Sequence, residues 1–212
     1  LEYCAQETLR QLDPIWKTAL AEGRSIEVTS PAARAFILNN LPLETLLEQP
    51  RTMEVLRELA VRPGVQDELR MESLRAIAAD ERRSIGEVLL GTLEQLDAQA
   101  DSGESSVLFD LVRLLAGLPE SELTSLRQRI ETLAQEGRQG VIRQMAYVAL
   151  LQVDGNGERV WELATGSIAS LRDLVTALPA ISDPALRADL YPRVAPLLDG
   201  LPPSLADQAG DG

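Results

Sequence analysis

The chain has 212 residues, a formal net charge of −13 and no histidine. Its 20 Lys and Arg against 33 Asp and Glu supply no basic excess for a phosphate backbone or an anionic bilayer. With no His and Cys4 as the lone cysteine, these residues cannot form a Ser–His or Cys–His nucleophile, a Cys/His zinc set, a CxxCH haem site or an internal disulfide.

From 5 to 22 the pattern is helical, with Leu9, Leu12, Trp16, Ala19 and Leu20 at three- and four-residue steps. Asp13-Pro14 suggests an N-cap and first-turn proline that break or kink it. Ser30-Pro31 repeats the device and opens a helix over 32–41, which Pro42 closes because the residue before a proline avoids the α region. Two short helical pieces, 43–48 and 51–61, flank Pro50. Pro63-Gly64 is a turn. Ser84-Ile85-Gly86-Glu87 has capping-box spacing and starts a helix to about Gln99. Gly91 inside it either costs stability or admits a neighbouring backbone. A polar loop over 100–105 precedes a middle helix over 106–116, and a charged amphipathic helix over 122–135 stops at Gly137. After a segment over 139–153, the loop Asp154-Gly155-Asn156-Gly157 leads to a short helix over 158–165. Ser167 caps 168–178, and Asp183-Pro184 opens a last helix to about Leu198, bent near Pro192 or Pro196. From Gly200 the composition is that of a turn and a mobile tail. No stretch alternates with period two, so no sheet is expected.

One pattern recurs. In 65–80, Leu69, Ser73, Ala76 and Ile77 share an arc of roughly 100° at about 3.6 residues per turn. The same offsets return at Ile142, Ala146, Ala149 and Leu150, with looser copies beginning at Ala33, Leu108 and Leu186. The steps are 36, 39, 34 and 44 residues, the period of an α-helical array whose repeat is a helix pair. The third position is Asn40 in one copy and Arg193 in another, so the repeat is imperfect.

Four arginines, Arg34, Arg70, Arg143 and Arg187, follow the first apolar position of a copy; the middle copy has Phe109 there. They form either a cationic ladder for an acidic ligand or, the favoured reading, internal caps on acids or carbonyls at inter-helix turns, with Asp67 and Asp183 nearby. Asp154, Asn156 and Glu158 alternate like calcium ligands, but position six would be Arg159 and position twelve lacks the bidentate Glu, so a turn is expected. Glu94, Asp97, Asp101 and Glu104 are the densest carboxylates and read as a solvated face rather than an acid–base pair. Cys4 reads as an incidental neighbour of the first helix. Trp16 and Trp161 read as core, with partner anchoring as the alternative.

The repeats resemble HEAT-type helical repeats. The runs at 3–23, 62–78 (RPGVQDELRMESLRAIA), 143–156 (RQMAYVALLQVDGN) and 181–198 further resemble one segment of large exported bacterial proteins. In these, HEAT-like repeats are joined to a c-type cytochrome, a dehydrogenase-like propeller or a carbohydrate-binding β-sandwich. No catalytic motif comes with the likeness. It implies a spacer or docking module outside the cytoplasm, with neighbouring domains or another protein as partner.

The expected fold is thus an all-α, right-handed α-α superhelix of about ten helices in five pairs, over 1–199, followed by a flexible tail or linker over 200–212. The start at Leu1, without a signal segment, reads as a processed or excised chain. No apolar run is long enough to span a membrane, and no catalytic, metal or cofactor residues are assigned. The alternatives are a carboxylate-only enzyme of glycosidase type and a free adaptor for a basic partner.

Overall fold

The computed structural model describes residues 30–99 and 105–200, with the isolated positions Pro14, Ile15, Thr18, Pro202 and Leu205. The described residues hold eleven α-helices and no strand, so the chain is all-α. Backbone proximity divides it into two compact units, Leu1–Gln49 and Pro50–Gly212, where the sequence suggested one body to residue 199.

In the first unit, α1 spans Pro31–Asn40 and α2 spans Leu43–Leu47. Ser30 is the N-cap of α1, its hydroxyl accepting from the Ala33 amide at 3.5 Å. Leu41, ahead of Pro42, is extended at ψ 141°, which ends the helix as proline sterics require. The expected helix over 5–22 falls largely outside the described residues; Pro14, Ile15 and Thr18 are helical.

The second unit contains α3 (Met53–Val61), α4 (Asp67–Glu81), α5 (Ile85–Ala98), α6 (Ser105–Ala116), α7 (Glu120–Glu136) and α8 (Gly140–Asp154). It continues with α9 (Glu158–Ala164), α10 (Ile168–Ala177) and α11 (Pro184–Val194), and a 3-10 turn follows at Ala195–Leu198. The caps read from sequence are present. Ser84 and Glu87 make both halves of the capping box, Ser167 accepts from Ser170, and Asp183 accepts from Ala185 at 2.8 Å. Gly64 turns at φ 77° and Gly155 ends α8 at φ 65°, values that glycine adopts without steric cost.

Each helix packs against its successor from α3–α4 through α9–α10. In addition α4 meets α6, α6 meets α8 and α8 meets α10, while α5 meets α7 and α9 meets α11. The sequence pattern explains the α4–α6–α8 row. Ile142, Ala146, Ala149 and Leu150 are all buried, as are Leu108, Val112 and Leu115 of α6. The fit is looser in α4, where Ser73 and Ile77 are buried but Leu69 and Ala76 only partly so.

The copy beginning at Leu186 does not continue this row. It lies on α11, which packs on α9; the next row member is α10, through Leu171, Leu174 and Ala177. The seven-residue α9 shortens this repeat, so the small-residue pattern returns one helix late.

Two glycines set the approach of the other row. The Gly86 amide donates to Glu122 at 3.0 Å, and a Cβ on Gly86 would lie 2.7 Å from Leu126 Cδ1. The Gly157 amide donates to Asp189 at 2.7 Å, with Leu190 Cδ2 at 2.5 Å from its would-be Cβ. Close approach thus belongs to Gly86. A Cβ on Gly91 would meet only Arg83 Nη2, at 3.5 Å, so Gly91 admits no neighbouring backbone. Gly91→Ala should therefore raise stability by about 0.5–1 kcal/mol, the helix-propensity gain. Gly86→Ala should lower it by about 1–3 kcal/mol through overpacking. Urea denaturation of the two variants checks this, and a neutral Gly86→Ala would contradict the packing described.

Candidate functional site: the inter-helix arginines and carboxylates

The N–H and C=O groups at helix ends have no partner within the helix, so each inter-helix turn exposes backbone acceptors. Arg70, one turn into α4, answers this directly. It is fully buried, and its guanidinium donates to the carbonyls of Ala60 (2.6 Å), Arg62 (3.0 Å) and Val65 (3.4 Å), all at the α3–α4 turn. Burial pulls its pKa below the usual arginine value, opposed by the charge of Asp110, whose carboxylate lies 3.7 Å away on α6.

Arg143 repeats the arrangement on α8. Its Nη1 donates to the carbonyls of Gly137 (2.7 Å) and Arg138 (3.1 Å) at the α7–α8 turn, and its Nε donates to Asp173 of α10 at 2.6 Å. Arg187 of α11 donates to Ile181, again at the preceding turn. Three of the four sequence-selected arginines therefore clasp turn carbonyls. Arg34 belongs to the first unit, on α1. Phe109 holds the slot in α6 and is half-exposed.

The acids expected to serve these arginines do something else. Asp67 takes a two-pronged contact from Arg113 (2.5 and 2.9 Å), which also reaches Asp110 at 3.2 Å. The Arg113 hydrogen bonds hold the Asp67 carboxyl below the usual aspartate range, and Asp67 in turn raises the Arg113 pKa. Asp183 caps α11. Asp173 was not marked by the sequence reading. It is 2% exposed and also receives Gln144 Nε2 at 3.4 Å. The only sequence signal is an acid one helix row beyond an arginine, 30 positions on.

The carboxylate group at 94–104 is not the solvated face expected, where it is described. Asp97 is 7% exposed and accepts from the Arg138 and Gln139 amides at 2.8 and 2.9 Å, tying the end of α5 to the α7–α8 turn. Glu94 is held by both prongs of Arg129, at 3.0 and 2.6 Å, across 35 positions of sequence. Asp101 and Glu104 lie outside the described residues, as do Cys4 and Trp16.

The 154–158 loop is a turn. Asn156 Oδ1 accepts from the Glu158 amide at 3.1 Å, and Arg127 grips both Asp154 oxygens at 2.7 and 2.8 Å. Arg127 also pairs with Glu131. No cluster of metal-ligating side chains exists among the described residues. Tyr147 is fully buried, and burial raises its phenol pKa. Glu58 is raised by burial against the lowering charge of Arg62, 2.8 Å away. Trp161 is half-buried against the core.

What these groups do chemically is hold helices together: each bond joins a charged head to a turn, a helix end or a neighbouring helix. No helix described is long and apolar enough to cross a membrane. Comparison with protein-family models, with curated proteins and with solved structures gives no match.

A depressed carboxyl contributes stability that is fully present above the ordinary aspartate pKa, about 3.9, and is lost as pH falls through the lower folded value. Asp67→Asn should therefore cost up to about 1 kcal/mol at neutral pH, the scale of a partly exposed pair. That difference from the parent should vanish near the acid limit. Glu58, raised instead, works in the opposite sense as the solution is acidified. Denaturation midpoints of parent and variant across the acid range measure the effect; a pH-independent difference would contradict it.

Proposed function

We propose that this chain is a non-catalytic HEAT-like α-solenoid segment that holds neighbouring domains, or a partner protein, in a fixed relation. The observation that carries this reading is the recurrence of one fastening, an arginine on the turn carbonyls that precede its helix, on α4, α8 and α11. Repetition of one supersecondary unit with one fastening device is what a helical-repeat array requires, because each unit is stabilised chiefly by its neighbours. The buried charges serve the same end: Arg70, Asp97 and Asp173 all spend their hydrogen bonds inside the protein. The right-handed superhelical path and the location outside the cytoplasm rest on the resemblance noted in the sequence. An acidic surface favours a basic partner whose association slows as salt rises. The carboxylate-enzyme reading has less support, since Glu94 is engaged by Arg129 and Asp97 by two amides.

A spacer must keep its length. Spin labels at Glu68→Cys and Glu162→Cys, both exposed positions of the second unit, can be read by pulsed electron resonance in a Cys4→Ser background. The expected result is a single narrow distance distribution. A broad or multiple distribution would count against a spacer. Turnover in a broad glycoside screen that Glu94→Gln abolished without loss of fold would support the enzyme instead.

A further inference from the structure

We propose that α11 and the 3-10 turn after it form a self-complementary surface on which two copies of this chain associate. Leu198 is 92% exposed and Tyr191 70% exposed, well above Phe109 at 44% and Ile168 at 37%, the other exposed large apolar residues of α5–α11. Both lie on this one segment. Next to them is a hollow of about 450 Å³ walled by Trp161, Pro192, Pro196 and Leu197. The prolines explain the hollow: Pro192 interrupts the hydrogen bonding of α11, and Pro196 sits in the tighter turn that follows.

A two-fold interface brings the same patch of both copies together, so the patch must carry both a projection and a recess, and both signs of charge. This one does. Leu198 and Tyr191 project beside the recess, and the wall of the recess also carries Arg193 and Asp199. Arg193 uses Nη1 on the Asp189 carbonyl at 2.9 Å and keeps further donors. Asp199 has no side-chain hydrogen bond or ion pair among the described residues. Two-fold pairing sets Arg193 of one copy against Asp199 of the other, twice. A ligand of unrelated shape and charge would not be matched in this way by the surface itself. The dimer surface stands independently of the spacer reading.

Sedimentation velocity on the full chain, with reductant present to exclude a Cys4 disulfide, tests it over roughly 1 to 200 µM, the range of weak specific association. The expected result is a shift from a 23.1 kDa monomer to a dimer. Leu198→Asp and Asp199→Arg should each weaken the dimer at least about tenfold, with unchanged far-ultraviolet circular dichroism. Arg193→Asp should weaken it too, and mixing this variant with Asp199→Arg should restore a dimer, because each mixed contact then pairs opposite charges. A monomer at every concentration would overturn the proposal. So would a dimer indifferent to Leu198→Asp and Asp199→Arg, both at exposed positions, or no restoration when two folded charge variants are mixed.

Discussion

The structure depends on one constraint: backbone carbonyls at a turn between packed helices must be satisfied, and water has restricted access to them. Here the donor is a guanidinium from the following helix. Arginine suits the position because it presents five N–H groups in a rigid fork and stays charged when buried. Arg70 spreads those donors over three carbonyls. The cost of burying the charge is large, and the pair of fixed turn and fixed helix is what it maintains.

From this fastening the rest of the second unit follows. Once each turn is pinned to the helix after it, a helix pair behaves as one body, and pairs need only stack. Stacking in one row is done by small and branched side chains, most completely on α8, where Ala146, Ala149 and Leu150 are buried. In the other row it is done by glycines at helix starts, each receiving a carboxylate and a leucine from the next helix of that row. Ion pairs across the layers, such as Arg129 with Glu94 and Arg127 with Asp154, then fix rotation about the stacking direction. The acidic balance of the chain leaves enough carboxylates over to keep the outer surface charged.

Much of this was legible in the sequence because it is local. Capping serines, proline stops and the 3.6-residue face are encoded within a few residues, and the boundaries of α4 through α11 fall within about two residues of those expected, the scatter that helix ends normally show. The structural role of Arg70, Arg143 and Arg187 was also legible, since each recurs at one offset. What was not legible is long-range. Asp97 looks like any solvated acid until the α7–α8 turn folds over it, and Asp67 sits beside Arg70 in sequence but is paired to Arg113, 46 positions away. Gly86 and Gly91 look equivalent in one dimension; only packing against α7 separates them. The shortened α9 defeated the period, so the last copy was assigned to the wrong row.

The central claim is that buried charge in this chain is an internal fastener, and the Arg143–Asp173 contact between α8 and α10 isolates it most cleanly. A double-mutant cycle with Arg143→Met, Asp173→Asn and the combination, followed by urea denaturation, measures the coupling between the two side chains. The account predicts that each single change destabilises and that the coupling is about 1–3 kcal/mol. Single variants as stable as the parent, with a coupling near zero, would contradict it.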